Sequence, residues 1–164
     1  MNMVRSGAAV HSAPRRGGSL ASGVRAKPAC LGIDLVAENL SAVLTSAGAG
    51  KVETAIPDGP ALVAVDEDGM NEAFAALGNA VARGALVTIL GHLVRIVTGD
   101  QDGQKGCALL SVLITGGEAA EKTVVRGALS AMRRVIKKQR GFLKVWEGRG
   151  EMRLSLYLPI VHNP

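Results

Sequence analysis

Residues Gly127–Ile160 read "GALSAMRRVIKKQRGFLKVWEGRGEMRLSLYLPI", and the change of period inside this stretch decides the fold. With the residues just before it, the first part carries Val125, Leu129, Met132 and Ile136 at steps of three and four, which predicts a helix from about Lys122 to Gln139. Gly141 is expected to close it. Arg126, Arg133, Lys137 and Arg140 fall on the other side and form a basic face. After Gly141 the period becomes two. Leu143 and Val145 alternate with Phe142, Lys144 and Trp146, and Leu154 and Leu156 alternate with Arg153 and Tyr157. Around the turn "EGRGE" this predicts a hairpin. One face of the hairpin is aliphatic, and a register slip of one residue would exchange which face meets the helices. Its other face gathers Phe142, Lys144, Trp146, Arg153 and Tyr157, a mixture of aromatic and basic groups typical of interface anchors.

Working back along the chain, the same two periods recur. "GIDLVAENLSAVLTSAG" (residues 32–48) has helical spacing, with Asp34 as the expected cap. "KVETAI" and "ALVAV" read as short strands flanking a Pro-Gly turn. Asp66 or Asp68 is expected to cap a second helix that runs to about Arg83 and stops at Gly84, with Met70, Ala73, Phe74, Leu77 and Val81 on its buried side. "ALVTILGHLVRIV" and "CALLSVLI" read as two long strands joined by the polar loop "TGDQDGQKG". The order is helix, two strands, three times over. It predicts an α+β two-layer sandwich with helices on one face of a mixed sheet.

Composition agrees with a single ordered domain. The chain has 164 residues, 48% of them hydrophobic and only 2% aromatic, so its core must be aliphatic. Two cysteines, Cys30 and Cys107, without metal-ligand spacing suggest a reducing, cytoplasmic setting and no disulfide framework. No apolar run is long and uncharged enough to span a bilayer. Residues 1–30 are rich in Gly, Ser, Ala, Arg and Pro, with five basic groups and no acid, and read as a mobile basic arm before a domain over residues 31–160. The Arg and Ser content superficially resembles a transit peptide, but nothing else points to an organelle. Residues 31–120 carry 11 acidic and 4 basic groups, whereas residues 121–164 carry 10 basic and 3 acidic. This asymmetry suits an acidic partner for the C-terminal part, two faces that attract each other, or a solvated helix face.

The order and phrasing together resemble the ATP-binding domain of sensor histidine kinases, the histidine-kinase-like ATPase (Bergerat) fold. "VETAIPDGPALVAVDEDGMNEAFAALGNAV" resembles the family's strand, turn and N-box helix. "GALVTILGHLVRIV" and "CALLSVLITGG" resemble the strands that lead to its D-x-G motif. The C-terminal stretch ends in a typical "LPI". The resemblance implies an ATP site with three parts: an N-box Asn on Mg²⁺, an Asp that accepts from the adenine amino group, and glycine turns around phosphate.

Each of those parts is altered here. The Mg²⁺-binding position falls on Ala80, and Asn79 is one residue away, about 100° around the helix. The adenine-reading position falls on Ile114, which accepts no hydrogen bond. Gly116 and Gly117 keep the first glycine turn. The second glycine motif falls on "VVRGAL", where Gly127 alone remains, displaced. Only "EAAEKT" separates Gly117 from the helix body, so the family's long ATP lid is missing. An unpaired adenine amino group alone costs about 1–3 kcal/mol.

None of the histidines has the setting of a phosphoacceptor. His11 lies in "AVHSAPRRGG", which Pro14 and the glycines keep from being a dimerisation helix. His92 reads as a strand residue and His162 lies in the tail. The expectation is therefore a vestigial nucleotide pocket (Asn79, Ala80, Ile114, Gly116, Gly117, Gly127), no cofactor and no catalytic or metal-binding residue. Such a protein would act by contact with a histidine kinase or a response-regulator receiver domain, as a monomer or weak homodimer. The alternatives are a genuine ATP- and Mg²⁺-binding kinase or ATPase domain, and a basic nucleic-acid-binding module.

Overall fold

The computed structural model describes residues 29–56, 61–96, 105–118 and 120–161. The N-terminal arm up to residue 28, His11 and His162 lie outside them, as does most of the loop expected between the two long strands. The elements, in order, are β1 (Ala29–Gly32), α1 (Ile33–Ser46), β2 (Lys51–Ala55), β3 (Leu62–Val65), α2 (Glu67–Ala80), β4 (Leu86–Ile96), β5 (Lys105–Thr115), α3 (Lys122–Lys138), β6 (Phe142–Gly148) and β7 (Glu151–Pro159).

Five strands form one mixed sheet in the order β2-β4-β5-β7-β6, with β2–β4 the parallel pair. The long antiparallel ladder β4–β5 sits at its centre and runs from Leu86↔Thr115 to Ile96↔Lys105. β1 and β3 make a separate two-stranded antiparallel sheet. The end of the chain ties the two sheets together: Val63 bridges Ile160, and the Val161 N–H donates to the Leu62 carbonyl at 2.8 Å.

Two differences from the sequence reading arise here. β3 leaves the main sheet, and Ala29 and Cys30, read as part of the arm, belong to a strand. The four residues of β1 follow a proline and show no alternation, so only pairing with β3 makes them a strand.

The helices lie on one face of the sheet, as the expected sandwich requires. Alternate residues of β4, β5 and β7 point to that face: Val87 and Ile89; Ala108, Leu110, Val112 and Ile114; Leu154, Leu156 and Leu158. They meet Val36, Leu40 and Leu44 of α1, Phe74 and Leu77 of α2, and Leu129, Met132 and Ile136 of α3. Phe74 is the one aromatic side chain among the fully buried residues. Aliphatic side chains fill the rest.

Helix ends show what tertiary structure adds. Asp34 does not cap α1. The N-cap is Gly32, extended because it pairs with Leu62, and the first helical N–H, that of Ile33, donates to the Ala61 carbonyl at 3.0 Å. Asp66 does cap α2, accepting from the Gly69 N–H. That helix stops at Ala80, not near Arg83, because Val81 turns extended. Gly84, at φ +75°, instead shapes the turn into β4 and donates to the Gly48 carbonyl. α3 ends in a Schellman arrangement. Gly141 N–H donates to Ile136 C=O and Arg140 N–H to Lys137 C=O, both at 3.0 Å, so Arg140 and not Gly141 takes the left-handed conformation, at φ +60°.

Candidate functional site

An open cleft of about 420 Å³ lies where the end of β5, the start of α3, the end of α2 and the β6–β7 turn converge. Its apolar lining includes Ala80, Val81, Ile114, Val125 and Met152. Ile114 is held between Val87 and Met152 in the ladders and is 6% exposed. The structure thus brings Ala80, Ile114, Gly116 and Gly117 to one cleft. Asn79 is exposed and is not part of its lining, nor is Gly127.

The geometry of the glycine turn follows from its neighbours. Gly116 and Gly117 are both left-handed, at φ +68° and +81°. The Gly116 N–H donates to the Gly150 carbonyl at 3.2 Å, and the Glu118 N–H to the Arg83 carbonyl at 3.3 Å. Two amides of the turn are therefore committed to the protein itself. A phosphate cradle needs such donors unpaired. Gly117 also presses against the α2–β4 connection: a Cβ there would lie 2.8 Å from the Ala82 Cβ and 2.9 Å from the Arg83 carbonyl oxygen.

Charge at the cleft is mixed. Glu118, Glu147 and Glu151 share the lining with Lys122 and Arg126. The sequence reading placed Arg126 on the solvent-facing basic stripe and assigned Lys122 no role. Their i, i+4 spacing at the start of α3, just after the glycine turn, is the signal that would have found them. Arg133, Lys137 and Arg140, the rest of that stripe, are exposed. Among the described residues no group of three or more His, Cys, Asp or Glu side chains is placed to hold a metal ion. His92 is an exposed β4 residue.

A second surface lies on the face of the sheet away from the helices. Phe142 and Tyr157 are cross-strand partners whose rings stack, with centroids 4.1 Å apart and planes 12° from parallel. Lys144 Nζ rides over both, 5.8 Å from Phe142 and 5.6 Å from Tyr157. Trp146 pairs with Arg153, whose guanidinium lies 6.0 Å from the indole. Arg153 also meets the Glu151 carboxylate at 3.4 Å. All five residues of the expected aromatic–basic surface thus share one face.

This arrangement of elements has solved counterparts. The catalytic domain of the histidine kinase ThkA matches with a TM-score of 0.56 at 10% identity, over 82% of this chain and 96% of that one. The histidine kinase domain of the E. coli osmosensor EnvZ matches with a TM-score of 0.56 at 16% identity, over 87% and 95%. The chain has the histidine-kinase catalytic-domain fold. The ATP-binding domain of PrrB from Mycobacterium tuberculosis gives a TM-score of 0.55 at 16% identity, over 83% of this chain and 99% of that one. At these identities the likeness is one of fold. No protein-family model and no curated protein sequence matches the chain. Among the described residues no helix is long and apolar enough to cross a membrane.

Proposed function

We propose that this histidine-kinase-like domain has lost nucleotide binding and acts by protein contact in two-component signalling, its partner being a histidine kinase or a receiver domain. The observation that carries the reading is Ile114. It fills, with a buried aliphatic side chain, the place that the fold resemblance assigns to the adenine-reading carboxylate. The committed amides of Gly116 and Glu118 support it, as do the three carboxylates that a polyphosphate would meet in the cleft. Calorimetric titration with ATP and ADP, with and without Mg²⁺, tests it. Absence of heat at millimolar nucleotide is the expected result. Micromolar, Mg²⁺-dependent binding overturns it.

A second reading, a working ATP site, draws on Lys122 and Arg126. Two cations on one turn of a helix N-terminus are suited to phosphate. In that reading the Lys122→Ala/Arg126→Ala double variant abolishes nucleotide binding; in the first there is none to abolish.

A further inference from the structure

We propose that β6 is a homotypic docking edge, by which two copies of this chain pair antiparallel about a two-fold axis centred on Val145. The inference rests on the strand edge and stands whether or not the cleft takes a nucleotide. Among the described residues β6 ends the five-stranded sheet with no neighbour beyond it. A free edge presents unpaired N–H and C=O groups, and chains normally blunt it with charge, proline or a bulge. The opposite edge is blunted: β2 is five residues long and carries the Lys51–Glu53 ion pair. β6 also carries charges, Lys144 and Glu147, but it is seven residues long, has no proline, pairs with β7 in unbroken register from Phe142 to Gly148, and bears Trp146 at 55% and Phe142 at 40% exposure.

The sequence of β6 selects its own copy and one register. Side chains keep their faces across a new strand pair only in alternate registers. Centred on Val145, every residue of β6 is paired. Lys144 lies opposite the partner's Trp146, Phe142 opposite the partner's Gly148, and Leu143 opposite the partner's Glu147, so no like charges oppose each other. Lys144 already rides over aromatic rings, and the pairing adds the partner's indole, twice by symmetry. Within each copy the Trp146 ring already lies over Gly148, the glycine that would otherwise weaken the edge. Sliding the pair by two residues sets Lys144 against the partner's Lys144 in one direction. In the other it sets Trp146 against the partner's Trp146 and leaves Phe142 beyond the end of β6.

Sedimentation of the full chain across a concentration series tests the proposal. A concentration-dependent dimer is expected, and Trp146→Ala should weaken it by about tenfold, because the two-fold loses each cation–π contact twice. Lys144→Glu should weaken it as well. Register is read by disulfide capture in a Cys30→Ser background. Val145→Cys should cross-link readily under mild oxidation, since position 145 faces its own copy, whereas Leu143→Cys should not. A monomer at every concentration overturns the proposal. So does a dimer indifferent to Trp146→Ala, or one in which Leu143→Cys cross-links as well as Val145→Cys.

Discussion

Ile114 and Met152 are direct partners in the β5–β7 ladder, and both face the cleft. Together they make its floor apolar at the point where a nucleotide site needs an acceptor. Restoring the acid alone should therefore harm the fold. Ile114→Asp is expected to cost roughly 3–5 kcal/mol, from lost burial and a desolvated carboxyl. Desolvation raises the folded-state pKa of such a group. The ionisation share of the cost is therefore absent at acid pH and grows as pH rises from the ordinary carboxylate range to that folded-state pKa. Urea unfolding at two pH values checks it. Equal stability of variant and parent at neutral pH would mean that position 114 is open to water.

The two left-handed glycines of the cleft should differ in tolerance. Gly116→Ala meets open space and bears only the left-handed penalty, about 1–2 kcal/mol. Gly117→Ala adds a collision with the α2–β4 connection and should cost about twice as much. Thermal melts of the two single variants give the order directly. The reverse order would place the tight approach at Gly116.

The end of α3 predicts a stabilising change. Arg140 sits left-handed where glycine is usual, and the Schellman bonds need that geometry. Arg140→Gly should add about 0.5–1 kcal/mol. Gly141→Ala should destabilise strongly, because a Cβ there would run into the Tyr157 carbonyl and the Ile136 side chain. A Tm that falls in Arg140→Gly would show that the Arg140 side chain contributes more than its strained backbone costs.

These cases also mark how far the sequence could be read. Period alone located α1, α2, α3 and both long strands, and the two faces of the β6–β7 hairpin follow from strict alternation, since Leu154 and Leu156 are fully buried while Trp146 and Arg153 are exposed. What period cannot carry is a boundary fixed by a distant neighbour. Gly32 ends a strand because Leu62 pairs with it, and α2 stops at Ala80 although "VAR" continues a helical pattern. The cleft was half legible. The family resemblance placed Ala80, Ile114, Gly116 and Gly117 at one site, whereas Glu147 and Glu151 reach it only through the hairpin turn.

The two cysteines offer a last contrast. Cys30 is exposed, whereas Cys107 is 7% exposed between Val94 and Pro159 in the ladders. Burial pushes the Cys107 thiol above its ordinary pKa. A thiol reagent should therefore titrate one group at once and the other only as fast as the sheet opens locally. The same shift has a stability consequence. The unfolded chain gives up this proton at lower pH than the folded one, so the Cys107 contribution to stability falls as pH rises through and above the ordinary thiol range. Below that range the shift contributes nothing. The difference in unfolding free energy between the parent and Cys107→Ala, followed from neutral to alkaline pH, isolates it. A difference that stays flat, or two thiols that react together, would place Cys107 in contact with solvent and the β5–β7 ladder open at its end.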